Sequence, residues 1–216
     1  MNPPEHGPWA GKTFWLIGAS EGLGRALAHE LSDAGAILCL SARDRGRLDS
    51  LASCLPGPAT IAPLDVRDSA SVIAAFADLP PIDGIIYCAG AYEPVVATDW
   101  NAAAVETMCD VNLTGAVRAL GAAMPALSAQ RGGQIVLIGS LAGLVGLPRS
   151  IGYGASKAGL IQLAESLRID LPRPAFKVQI INPGFIETRL TAKNDFPMPN
   201  ILSAAAAARR TRRIME

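Results

Sequence analysis

Six short apolar runs, each separated from the next by a segment of helical periodicity, restrict the fold of this chain more than any other feature. The runs cover residues 13–17, 36–41, 60–64, 84–88, 134–139 and 177–182. Those containing IVLI and VQII lack in–out alternation, as strands buried on both faces of a parallel sheet do. Between the runs the pattern predicts helices over 23–34, 45–54, 69–77, 102–128 and 152–171, with a break expected near Pro125 in the fourth. An alanine-rich helix over 203–213 opens at a Ser203 cap. Parallel strands need crossover helices, so the expected fold is α/β: one doubly wound parallel sheet of about six visible strands, with helices on both faces.

With 216 residues, half of them apolar, the chain buries a core without metal or disulfide support. No linker composition divides it, so residues 1–216 read as one domain. The balance of 19 basic and 19 acidic side chains gives no basis for nucleic-acid binding. Arg209, Arg210, Arg212 and Arg213 form a local cluster, read as a solvated helix end rather than a partner-binding tail. Cys39, Cys54, Cys88 and Cys109 form no C-x-x-C pair, and His6 and His29 are the only imidazoles, so no metal site is expected. All four cysteines read as small buried apolar residues of a reducing compartment, with a disulfide or a nucleophilic thiol as alternatives. A secretory signal and a spanning apolar segment are both missing from the pattern, so a soluble, cytoplasmic protein that binds no membrane is expected.

The first strand runs into GASEGLGRALA, which puts Gly18, Gly22 and Gly24 at a strand-to-helix turn. Glycines there permit a tight turn, a close approach of backbone to pyrophosphate, and close helix packing, while the helix N-terminus offers amide donors to an anion. The second strand ends at Ser41, Ala42 and Arg43, where dinucleotide folds hold the adenosine ribose. A carboxylate at that tip would repel a 2′-phosphate, whereas Arg43 would pair with it; this favours NADP(H), with NAD(H) as the alternative. Glu21, inside the turn, argues mildly the other way.

A second constellation joins Ser140, at the end of the fifth strand, to Tyr153 and Lys157 in the string YGASK. Four residues apart on a helix, Tyr153 and Lys157 share a face. A cation beside a phenol favours phenolate and brings its proton within reach of neutral pH, and Ser140 would hydrogen-bond the substrate oxygen.

In this combination and order the sequence resembles the short-chain dehydrogenase/reductase family over about residues 12–190. The motifs are GASEGLG, Asp65-Val66, Ala89-Gly90, Asn112, Ser140 with YGASK, and PGFIET from Pro183 to Thr188. The resemblance implies a Rossmann-type fold in which Tyr153 is the general acid/base, Ser140 positions the carbonyl or alcohol, and Lys157 lowers the tyrosine pKa and binds the nicotinamide ribose. It implies that Asn112 holds a water in a proton relay to Lys157. It places Ser20, Leu23 and the glycines at the phosphates, Asp65 and Val66 at the adenine, and Ala89 and Gly90 at the ribose. Ile186 and Thr188, following Pro183 and Gly184, would contact the carboxamide or pyrophosphate.

The chain departs from the family where two asparagines usually precede Ala-Gly: it carries Tyr87 and Cys88, and side-chain bonds tying neighbouring strands would be lost there. Residues 1–11 read as a tail, 184–203 as a substrate loop and 204–216 as a C-terminal helix. A family member would continue into a further strand, so the chain is either a naturally short member or a shortened form. The expected activity is NADP(H)-dependent hydride transfer with a small to medium, mostly apolar carbonyl or secondary alcohol. The alternative is a non-catalytic NADP(H)-binding sensor or partner-binding subunit on the same fold. Leu144, Leu147, Phe185 and Met198 suggest an apolar pocket, and the long fourth and fifth helices a homo-oligomer, dimer or tetramer.

Overall fold

The computed structural model describes residues 7–216; His6 and the start of the 1–11 tail lie outside the described residues. Strands β1 (Thr13–Ile17), β2 (Ile37–Ser41), β3 (Ala59–Ile61), β4 (Gly84–Tyr87), β5 (Gly133–Ile138) and β6 (Phe176–Ile181) form a parallel sheet in the order β3-β2-β1-β4-β5-β6. The helices are α1 (Gly22–Asp33), α2 (Arg45–Ala52), α3 (Ser69–Ala77), α4 (Ala102–Cys109), α5 (Gly115–Ala129), α6 (Ile151–Asp170) and α7 (Ala204–Met215). After β3 the chain crosses to the other side of β1, and this reversal opens a crevice above the carboxyl ends of β1 and β4.

Every residue of β1 is buried because both faces of the sheet are covered. Phe14 and Leu16 pack with Leu38, Ile86 and Val136 under α1, α2 and α7, whereas Trp15 and Ile17 pack with Cys39, Ile85 and Leu137 under α3, α5 and α6. The one polar group of Trp15 is satisfied inside this core: Nε1 donates to Ser41 Oγ at 2.9 Å, and Ser41 Oγ donates to the Ala62 carbonyl at 2.6 Å. Helix starts follow their caps, with Asp44, Asp68, Asn101 and Ser203 each accepting a backbone N–H of the first turn.

Four expectations are corrected. The third strand spans 59–61 rather than 60–64, because Pro63 has no N–H to offer, although the Ala62 and Leu64 amides still bond the Leu40 and Ala42 carbonyls. The fourth helix does not break at Pro125, which lies within α5; Pro125 and Gly121 both face solvent, where the carbonyl freed by proline tilts toward water. The irregularity lies upstream, in a π-turn over Asp110–Thr114 that joins α4 to α5. Cys54 is exposed, past the C-terminus of α2, while Cys39 is buried and Cys88 and Cys109 are half-buried; all four are free thiols. The arginine cluster is not simply solvated either: Arg212 lies 3.6 Å and Arg209 3.9 Å from the Glu30 carboxylate on α1, against which α7 packs.

No helix among the described residues is long and apolar enough to cross a membrane.

Candidate active site

The crevice is a cleft of about 870 Å³ running from Arg43 at one end to Ser140, Tyr153 and Lys157 at the other. Its floor is the turn from β1 into α1. Gly18 has a φ of +91°, and a Cβ there would come within 2.5 Å of the Ala89 nitrogen. A Cβ on Gly24 would lie 2.0 Å from the Gly18 carbonyl oxygen, so α1 can begin this close to the strand only without a side chain. The α1 N-terminus carries no side-chain cap, and Gly22, Leu23 and Gly24 line the cleft beside Ser20. Free first-turn amides at a cradle too narrow for a Cβ suit the pyrophosphate of a dinucleotide.

Three cations line the end of the cleft opposite Tyr153. Arg43 lines it, as do Arg47, bonded to Glu21 at 2.8 Å, and Arg67, bonded to Asp65 at 2.7 Å. The Arg67 guanidinium holds the Asp65 carboxyl below the usual carboxylate range, and the Arg43 charge adds to this. Glu21 also pairs with Arg189 of the 184–203 loop. That loop is closed at its base by backbone bonds of 2.8 Å between Glu187 and Leu202 and between Leu202 and Phe185. It is held further out by Lys193 on Glu93 and by Arg149 on Asp195.

At the other end, Ser140 leaves β5 and its Oγ accepts the Ala142 N–H at 3.2 Å, capping the short turn Leu141–Gly143 against α6. Lys157 is buried, and its Nζ donates to the Ile138 carbonyl at 2.7 Å while lying 5.7 Å from the Tyr153 ring centroid. Burial lowers the ammonium pKa to about 8. For Tyr153 burial raises the pKa, and hydrogen bonding with Ser140 acts in the opposite direction. The net shift is upward, not downward as the spacing to Lys157 suggests, because burial outweighs the lowering influence of Ser140. The Tyr92 ring stands edge-on to Tyr153 at 5.2 Å.

Of the residues singled out from the sequence, Gly18, Ser20, Gly22, Leu23, Gly24, Arg43, Asp65, Val66, Ala89 and Gly90 line this one cleft. So do Ser140, Tyr153, Lys157, Pro183, Gly184, Ile186 and Thr188. Asn112 does not; it lies fully buried beneath it. Its Oδ1 accepts the Ala91 N–H at 2.7 Å, and its Nδ2 donates to the Ala91 carbonyl at 3.0 Å and to Ser156 Oγ at 2.9 Å. Both protons of its side-chain amide are thus committed to protein groups.

Sequence reasoning missed Arg47, Arg67, Tyr92 and Ser156. Arg47, in the first turn of α2 and four residues after Arg43, was the one with a readable signal. Of the proposed pocket residues, Leu144 is exposed, and Phe185 instead meets Phe196 at 6.0 Å. Among the described residues no group of three or more His, Cys, Asp or Glu side chains is arranged for a metal ion.

A glycine-lined dinucleotide cleft that ends on a serine, a tyrosine and a lysine defines an oxidoreductase of the nicotinamide-binding kind. The profile of the family described as short chain dehydrogenase matches residues 12–197, and the chain belongs to that family. It is 40% identical over 185 residues to a sulfoacetaldehyde reductase of Chromohalobacter salexigens, covering 82% of this chain and 73% of the relative. It is 34% identical over 189 residues to an uncharacterized oxidoreductase of Staphylococcus epidermidis, covering 86% and 82%. The solved structure of serine dehydrogenase from Escherichia coli superposes with a TM-score of 0.84 at 27% identity, covering 94% of this chain and 90% of that one. A structure of the closed form of serine dehydrogenase complexed with NADP+ gives a TM-score of 0.85, also at 27% identity, with 94% and 88% covered.

Proposed function

We propose that this oxidoreductase interconverts an aldehyde or ketone and its alcohol with NADP(H), Tyr153 acting as general acid/base. The observation that carries this reading is the meeting of Ser140, Tyr153 and Lys157 at one end of the cleft whose other end holds the glycine turn and Arg43. The nicotinamide supplies or accepts the hydride. Everything else falls to the chain. Tyr153, its pKa raised by burial, is a neutral phenol at neutral pH and so a proton donor in the reducing direction. Ser140 donates a hydrogen bond to the same substrate oxygen, and Lys157 stabilises the phenolate left on Tyr153. Asn112 would hold a water in a proton relay to Lys157.

For the cofactor, Ser20, Leu23 and the amides of α1 would hold the phosphates, Asp65 and Val66 the adenine, and Ala89 and Gly90 a ribose. Tyr153 and Lys157 would bind the nicotinamide ribose, while Ile186 and Thr188, following Pro183 and Gly184, would contact the carboxamide or the pyrophosphate. Arg43 pairs with the 2′-phosphate. Arg43→Ala is expected to weaken NADPH binding by about tenfold or more, since charge-assisted bonds contribute about 1.5–3 kcal/mol, and to leave NADH binding within twofold of wild type. Fluorescence titration with both nucleotides checks this, and equal losses would reverse the assignment.

The activity test is NADPH consumption over a carbonyl panel of mostly apolar aldehydes and ketones, with sulfoacetaldehyde included because a relative bears that name. Turnover of highly charged compounds alone would overturn an apolar pocket, and binding without turnover would favour a sensor. The protein is taken to act in the cytoplasm as a dimer or tetramer through the α5 and α6 faces, where Val117 and Ile169 are exposed. A monomer in sedimentation would contradict the assembly.

A further inference from the structure

Tyr87 ends β4, paired in register with Ile17 of β1 and Leu137 of β5, and is 1% exposed. A phenol so placed is costly unless its hydroxyl finds a partner. Its Oη donates to the Val111 carbonyl at 2.6 Å. In a regular helix that carbonyl would receive the Gly115 N–H. Here the Gly115 N–H bonds the Asp110 carbonyl instead, the longer step of the π-turn, and the tyrosine hydroxyl stands in for the amide.

Gly115 is matched to this arrangement, since a Cβ on it would lie 2.4 Å from Tyr87 Oη. From the other side, Arg118 holds the Asp110 carboxylate at 2.6 Å and the Val66 carbonyl at 3.1 Å. The next residue in the turn is Asn112, whose amide clamps both backbone groups of Ala91 and meets Ser156 Oγ; that hydroxyl donates to the Tyr153 carbonyl at 2.8 Å. The departure from the family's asparagine therefore replaces a tie between strands with a tie from strand to helix.

We propose that Tyr87 is a positioning residue: its hydroxyl holds the π-turn in the register that lets Asn112 fix the Ala91 segment and the turn of α6 carrying Tyr153. The kinetic consequence rests on the carbonyl-reductase reading, whereas the structural one does not.

Tyr87→Phe keeps the ring and removes only the hydroxyl. Hydrogen exchange on the intact protein is expected to show the Ala91 amide exchanging about tenfold faster, the scale of one buried hydrogen bond, with Ile85 and Ile86 of the same strand unchanged. kcat is expected to fall about tenfold with KM and NADPH affinity within twofold, and the pH profile of kcat to shift on its alkaline limb, where Lys157 titrates. In an Asn112→Ala background the same substitution is expected to add no further loss, because both act through one turn. Unchanged exchange at Ala91 overturns the proposal whether or not the protein reduces any carbonyl. Independent, multiplying losses of kcat overturn it as well, and so does a lowered melting temperature with wild-type kcat and pH profile. If the wild type turns over no carbonyl at all, the functional reading fails while the exchange experiment still decides the role of Tyr87.

Discussion

Tyr153→Phe is expected to lower turnover of the best carbonyl substrate by about 10³-fold, within the 10²–10⁴ range of a lost general acid, while NADPH still binds. The substitution is close to isosteric, and the ring stays packed edge-on against Tyr92. What disappears is the hydroxyl that lines the cleft beside Ser140, on a ring 5.7 Å from the buried Lys157 ammonium. Stopped-flow fluorescence of NADPH binding and steady-state NADPH consumption, run on the same preparation, separate the two effects. Turnover within tenfold of wild type would remove Tyr153 from the acid/base role.

The second large effect concerns Lys157 and acts on activity and stability in opposite directions. Lys157→Met is expected to reduce turnover by at least about 10²-fold, since the charge proposed to stabilise the tyrosinate is gone. The same variant should be more stable than wild type at pH 7 when no cofactor is bound. Burial holds the folded pKa at about 8, against about 10.4 in the unfolded chain, so below pH 8 the folded protein carries a charge it has not solvated. Between pH 8 and about 10.4 the unfolded chain binds a proton that the folded chain does not, and wild-type stability therefore rises with pH across that window.

The charged lysine costs about 3 kcal/mol below pH 8, and losing its hydrogen bond to the Ile138 carbonyl offsets about 1 kcal/mol of the gain. A net gain of about 2 kcal/mol at pH 7, shrinking toward pH 10, is the expected result in urea unfolding. A variant that is less stable at pH 7 would contradict a lowered lysine pKa. Such a trade between stability and activity is the ordinary cost of a buried functional charge.

Much of the site was legible because its parts are local in the chain. Gly18 and Gly24 sit in one turn and report a backbone geometry that follows from their lack of a side chain. Tyr153 and Lys157 share a helix face, so their spacing alone brings them together. Arg43 could be placed because strand β2 ends where its apolar run ends. Tyr87 shows the limit of such reading. From the sequence it was only a missing asparagine, because the carbonyl it bonds lies 24 residues away in a π-turn that no periodicity announces. Asn112 was found by its motif, but its side-chain partners, Ala91 and Ser156, lie in two other segments. The direction of the Tyr153 pKa was misread for a related reason: helical spacing gives proximity to Lys157, but only the packed interior gives the depth of burial.

By itself, then, the sequence determined the doubly wound sheet, the glycine-lined strand-to-helix turn, and the meeting of Ser140, Tyr153 and Lys157 in one cleft. These follow from hydrophobic period, glycine sterics and helical spacing, all of which act over a few residues. Only the tertiary structure decided that Glu21 joins Arg47 to Arg189, that Asn112 is spent on backbone rather than on solvent, and that Tyr87 props the turn holding it. Those contacts join segments brought together by the crossing of the chain at β1 and β4, and a buried polar atom takes whichever partner the packed core leaves within hydrogen-bond reach.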